Sequence, residues 1–131
     1  MIIDSSALVA IIKGEPDAEI YNRALLDAPS VRISAATLLE ACIVADGYGS
    51  AIVSARLDDL LREVGAVVEP VTEAQTHIAR SAHRGFGRGS GHPARLNFGD
   101  CFSYALAKQT GAPLLYKGDD FAHTDIRSAL D

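Results

Sequence analysis

The 131-residue sequence contains no tryptophan, one methionine and only two cysteines. Cys42 and Cys101 lie far apart and form no C-x-x-C pair, which removes the common zinc and dithiol redox frameworks. They fit a reducing compartment, where a free thiol packs as a small apolar residue. The four histidines show no H-x-x-x-H spacing, which argues against a histidine-bound metal. Uncharged apolar runs such as Ala41 to Ala45 fall far short of the roughly 20 residues that cross a bilayer. The residues after Met1 lack the basic segment and apolar stretch of a signal peptide, so a soluble, cytoplasmic protein is expected. No repeat or linker divides the chain, and its length suits one domain over residues 1–131. With 48% hydrophobic and 22% charged residues, it can bury a core without disulfides or a structural metal.

A shortage of positive charge excludes another class. The net charge of −5 argues against general nucleic-acid binding, whose affinity comes from Lys and Arg neutralising phosphates. The imbalance is uneven, however. No acid occurs from Ala74 to Gly99, a stretch holding Arg80, Arg84, Arg88 and Arg95 with His77, His83 and His92. Such a stretch is either a solvated face or a local grip for backbone phosphates.

The elements alternate. Ile2 to Asp4 reads as a strand, and Ser5 to Lys13 as a helix ended by Gly14. A second helix begins at Glu15-Pro16-Asp17, with Pro in its first turn, and runs to about Asp27. Val31 to Ser34 is a strand, followed by a helix whose Thr37 and Glu40 form a capping-box pattern. Ser50 to Val64 carries an apolar stripe of Ile52, Val53, Leu57, Leu60, Leu61 and Val64. Ala66 to Val71 is a strand, Thr72 to His83 a helix, and Gly85 to Pro93 a flexible loop. Asn97 caps a helix to Gln109, and Leu114 to Tyr116 is the last strand. The order predicts an α/β fold with a mostly parallel central sheet flanked by helices in three layers, its active site beyond the carboxyl ends of the strands.

Several acids fall where such a site belongs. Asp4 ends the first strand, Glu40 and Asp100 lie near helix starts, and Asp119 and Asp120 follow the last strand. Taken singly, each has a structural explanation, because a carboxylate at a helix N-terminus gains about 0.3–1 kcal/mol from the helix dipole. Together they conflict: two carboxylates about 4 Å apart repel by roughly 4 kcal/mol at an effective dielectric of 20. Such a cluster must take up protons, spread apart or hold a cation. Oxygen-only ligands favour Mg²⁺ or Mn²⁺ over zinc. Hard divalent ions suit phosphoryl chemistry, which gives the basic stretch a role beside the acids.

With MIIDSSALVAIIKGEPDAE, SAATLLEACIV, LNFGDCFSYALAKQTGAPLLYKGDDF and HTDI in place, the chain resembles the PIN-domain ribonucleases, in particular the VapC toxins of type II toxin–antitoxin pairs. The resemblance covers nearly the whole chain; residues 50–91 match only in general character. It implies a PIN-like fold and a Mg²⁺-dependent endoribonuclease, with Mn²⁺ as a possible substitute. It also implies Asp4, Glu40, Asp100 and Asp120 as active-site acids, with Asp4 and Asp100 as main metal ligands. Asp119 is the alternative for the fourth acid, and Ser6 is the hydroxyl supporting Asp4. It further implies a homodimer, a cognate antitoxin of the VapB type, and a structured RNA such as tRNA or rRNA. One rival is a noncatalytic PIN-like module that binds RNA or protein. Another is a phosphatase of haloacid-dehalogenase type, whose D-x-D motif is missing because Ser6 stands at the second Asp.

Overall fold

The computed structural model describes residues 1–131. Four short parallel strands form the sheet: β1 (Ile2–Ile3), β2 (Arg32–Ser34), β3 (Val67–Glu69) and β4 (Leu114–Leu115), in the order β3-β2-β1-β4. Ile2 registers with both Arg32 and Leu114, and Ile3 with Leu115. Because successive strand side chains point to opposite faces, these pairs divide the core in two. Ile3, Ile33 and Leu115 pack with Leu8, Ile12, Leu25 and Leu57 on one side. Ile2 and Leu114 pack with Leu96, Tyr104, Leu106 and Phe121 on the other.

The first side is covered by α1 (Ser5–Ile12), α2 (Ala18–Asp27), α3 (Ala35–Asp46) and α4 (Ala51–Glu63). The second is covered by α5 (Glu73–Phe86) and α6 (Phe98–Thr110). The result is the expected α/β sandwich of three layers. No helix is long and apolar enough to cross a membrane.

Four local expectations need correction. Ser34, not Thr37, is the N-cap residue of α3, so Glu40 lies in the second turn and completes no capping box. The burial of Thr37 explains the shift: its hydroxyl meets Ser103 instead of a helix-end N–H. Glu15-Pro16-Asp17 precedes α2 rather than opening it. On α4, Leu57 and Leu60 are buried, but Ile52 is 67% exposed, so the apolar stripe is narrower than its pattern. Finally, α5 continues to Phe86, and the glycine-rich segment after it is tied down. The Arg88 N–H donates to the Leu96 carbonyl, and the Leu96 N–H to that of Phe86. The Ser90 hydroxyl closes a further turn onto the Gly87 carbonyl.

Candidate active site

Asp4 follows β1 directly and caps α1. Its N–H donates to the Leu115 carbonyl, so the position is fixed by the sheet itself. The carboxylate is only 2% exposed and is held from three directions. The Ser6 N–H and hydroxyl both donate to Oδ2, at 3.0 and 2.6 Å. The Ser103 hydroxyl donates to Oδ1 at 2.6 Å. Burying a charge without a counter-ion requires such donors.

Glu40 projects from α3 toward the start of α6. The Ser5 hydroxyl donates to its Oε1 at 2.6 Å. The closeness to α6 is set by Gly99, where any Cβ would lie 2.1 Å from Glu40 Oε2. Asp100 is the third residue of α6 and closes a capping box. Its carboxylate accepts from the Asn97 N–H at 3.0 Å, and its own N–H donates to Asn97 Oδ1 at 2.9 Å.

The side chain of Asp100 records the charge around it. Burial foremost, and after it the charges of Asp4, Asp120 and Glu40, raise its pKa to about 6 against the downward pull of the Asn97 N–H. The fold thus brings these four acids within electrostatic reach of one another. Asp119, exposed one residue earlier in the same turn, is not among the charges felt at Asp100. Asp120 is also exposed and follows Gly118, whose φ of +101° makes the turn.

None of the four acids forms an ion pair with Lys, Arg or His. No three acidic, His or Cys side chains are drawn together tightly enough to chelate an ion as they stand. Carboxylates left unpaired on one edge of the sheet repel one another. The donor set is all oxygen and anionic, with Gly99 leaving room for Glu40, so it fits a hard divalent cation. One buried polar atom near this edge has no partner: the Ser34 hydroxyl, at the end of β2 and 1% exposed. It stands in register with Asp4, one residue beyond the Ile3 level, on the neighbouring strand.

The basic residues are arranged separately. Arg80, Arg84, Arg88 and Arg95 are all exposed, and none forms an ion pair. Arg80 and His83 line a groove of about 440 Å³ between α5 and α6, with Phe98, Cys101, Phe102 and Ala105. This groove lies beside the acids rather than over them. Arg95 has a φ of +50°, the one non-glycine residue in left-handed backbone, two positions before Asn97.

The sequence pattern of the PIN domain matches residues 1–127. The chain belongs to the PIN-domain family. Within it, the chain is 54% identical over 131 residues to ribonuclease VapC28 of Mycobacterium tuberculosis, covering 100% of this chain and 98% of that protein. This PIN domain also resembles the crystal structure of Mycobacterium tuberculosis VapC20, described as a toxin that cleaves the sarcin-ricin loop. The TM-score is 0.74, with 22% identity and 95% of both chains covered. A toxin–antitoxin complex from Klebsiella pneumoniae matches with a TM-score of 0.69 and 17% identity, over 92% of this chain and 89% of that one.

Three hydroxyls around the acids of this PIN domain escape sequence reasoning. Ser6 was legible from its motif, but Ser5, Thr37 and Ser103 were not. The available signal was spacing: Ser103 is three residues after Asp100, and Thr37 three before Glu40, so each shares a helix face with its acid.

Proposed function

We propose that the chain, acting as a single PIN domain, is the toxin of a type II toxin–antitoxin pair: a Mg²⁺-dependent endoribonuclease, with Mn²⁺ as an alternative ion. The observation that carries this reading is the approach of Asp4, Glu40 and Asp120 to Asp100, whose pKa is raised to about 6 by burial first and by the charges of those three acids after it. The family relationship to VapC ribonucleases gives the reaction class.

Asp4 and Asp100 are the main ligands for the ion, and Asp120 completes the cup. A bound divalent ion supplies positive charge for the phosphate oxygens and lowers the pKa of an attacking water. Glu40, steadied by Ser5, orients that water and takes its proton. Asp4 does not share this task, because Ser6 fills Oδ2 and the position that Ser103 leaves on Oδ1 would face the ion. Arg80, Arg84, Arg88 and Arg95 hold the RNA backbone beside an anionic centre that would otherwise repel it. A structured RNA, tRNA or rRNA, is the expected substrate.

The same reading supplies partners. Leu39, Ile43 and Val44 on α3 and Phe98 and Phe102 on α6 line an apolar hollow with Glu40 at its edge. Phe98 is 79% exposed, and an apolar face this open suits a second copy of the chain in a homodimer. A cognate VapB-type antitoxin neutralises the enzyme in the cytoplasm.

The test is cleavage of RNA by antitoxin-free protein. Asp4→Asn, or EDTA added to the wild type, should abolish cutting. Full activity under either condition would refute the mechanism.

A further inference from the structure

Asp4 ends two chains of hydroxyl and amide donors, and their direction follows from counting protons. A Ser or Thr hydroxyl has one hydrogen to donate and two acceptor positions, whereas an ionised carboxylate only accepts. Ser103 therefore spends its hydrogen on Asp4 Oδ1. In the 3.1 Å contact between Thr37 Oγ1 and Ser103 Oγ, Thr37 must be the donor. The second chain runs the same way. The Lys117 N–H donates to Ser6 Oγ at 3.0 Å, and Ser6 donates to Asp4 Oδ2.

The acceptor count is equally definite. A carboxylate has about four acceptor positions, two on each oxygen. Oδ2 receives both the Ser6 N–H and the Ser6 hydroxyl, so it is filled. Oδ1 receives Ser103, which leaves one position on that oxygen.

We infer that Thr37 and Ser103 are positioning residues for the ion-binding site. Their directed relay fixes the Asp4 carboxylate and leaves Oδ1 as the oxygen with a position open to a cation. This rests on the metal-dependent reading above. Placement supports the assignment. Thr37 and Glu40 lie one turn apart on α3, and Ser103 and Asp100 one turn apart on α6. The relay thus ties the two helices that carry acids to the strand that carries Asp4. Thr37, Ser103 and Asp4 are 1%, 0% and 2% exposed, so water cannot replace a lost donor. Lys117 braces the other chain through its ammonium, paired with Glu15 and with Asp17 at 2.9 Å.

Titration calorimetry with Mn²⁺, run beside thermal melts in EDTA, tests the relay. Wild type should bind the ion. Ser103→Ala should weaken binding about tenfold or more, the usual consequence of removing a ligand's hydrogen-bond partner. Ser103→Thr should restore it. Thr37→Val, which keeps the side-chain shape and removes the hydroxyl, should weaken binding a few-fold and carries the test if Ser103→Ala cannot be purified folded. A role in packing alone would lower the melting temperature and leave ion affinity unchanged. Unchanged affinity in Ser103→Ala or Thr37→Val would overturn the relay. Wild type that binds no ion would instead overturn the metal-dependent reading itself.

Discussion

Asp100 does two jobs that pull its protonation in opposite directions. As part of the capping box it gains from being ionised; as a half-buried side chain with Asp4, Asp120 and Glu40 for neighbours it gains from holding a proton. The second effect wins, and its consequence has a sign. A native carboxyl with a pKa of about 6, against an ordinary value of 3.8, binds its proton more tightly folded than unfolded. Stability in EDTA should therefore fall as pH rises from about 4 through about 6, and the penalty should be complete above that. After discounting for solvent screening at a half-open site, the loss is about 1–2 kcal/mol. Asp100→Asn keeps an oxygen for the Asn97 N–H and removes the charge. In EDTA at pH 7–8 it should melt about 3–6 °C above wild type, and at pH 4 at nearly the same temperature. A lower melting point at both pH values would make capping the dominant role of Asp100. At this scale the sequence displays the acids but not their helpers. A carboxylate at the end of a strand is conspicuous, whereas Ser5, Thr37 and Ser103 look like ordinary helix residues until the fold shows which oxygen each one meets.

Elements place these side chains, and glycine fixes how closely α3 and α6 approach. Their order was legible because apolar periodicity and Gly, Pro and Asn boundaries are local signals. The start of α3 was not, because burial overrode capping, and before α2 the acids Glu15 and Asp17 are drawn to Lys117 instead. Thr37 has the sequence of a cap and the environment of a core residue, and its hydroxyl went to Ser103. The segment from Gly87 to Leu96 likewise reads as flexible from composition, yet backbone bonds between Arg88, Leu96 and Phe86 restrain it. Those bonds join residues eight to ten positions apart, and no local pattern announces them. Gly99 offers a test of element-level positioning. A Cβ there would meet the end of the Glu40 side chain at 2.1 Å, and that carboxylate can swing aside without moving backbone. Gly99→Ala should fold normally but break the Ser5–Glu40 hydrogen bond. RNA cleavage should drop by about 100-fold, the scale expected for an ångström-sized misplacement of a catalytic group. Wild-type kcat in Gly99→Ala would show that the position of Glu40 does not limit the reaction.

For the whole molecule the problem is charge. A chain of net charge −5 with four acids around one cup should repel RNA, yet its relatives are ribonucleases. Segregation resolves the conflict. The stretch without acids supplies nearly all of α5 and the pinned segment before α6, and its arginines have no ion-pair partners to release before meeting phosphate. At physiological salt the Debye length is about 8 Å, so repulsion from the acids fades over a short distance while direct phosphate contacts persist. Each such contact to single-stranded RNA releases counterions and adds about −0.7 to the slope of log affinity against log salt. Binding measured on the Asp4→Asn protein, which is expected to hold RNA without cutting it, isolates this contribution. Replacing Arg84 and Arg88 together by Ala should make the salt slope shallower by about 1.4 and weaken binding alike for RNAs of different sequence. An unchanged slope would mean that these two side chains face solvent only, and that phosphate is gripped elsewhere on the surface.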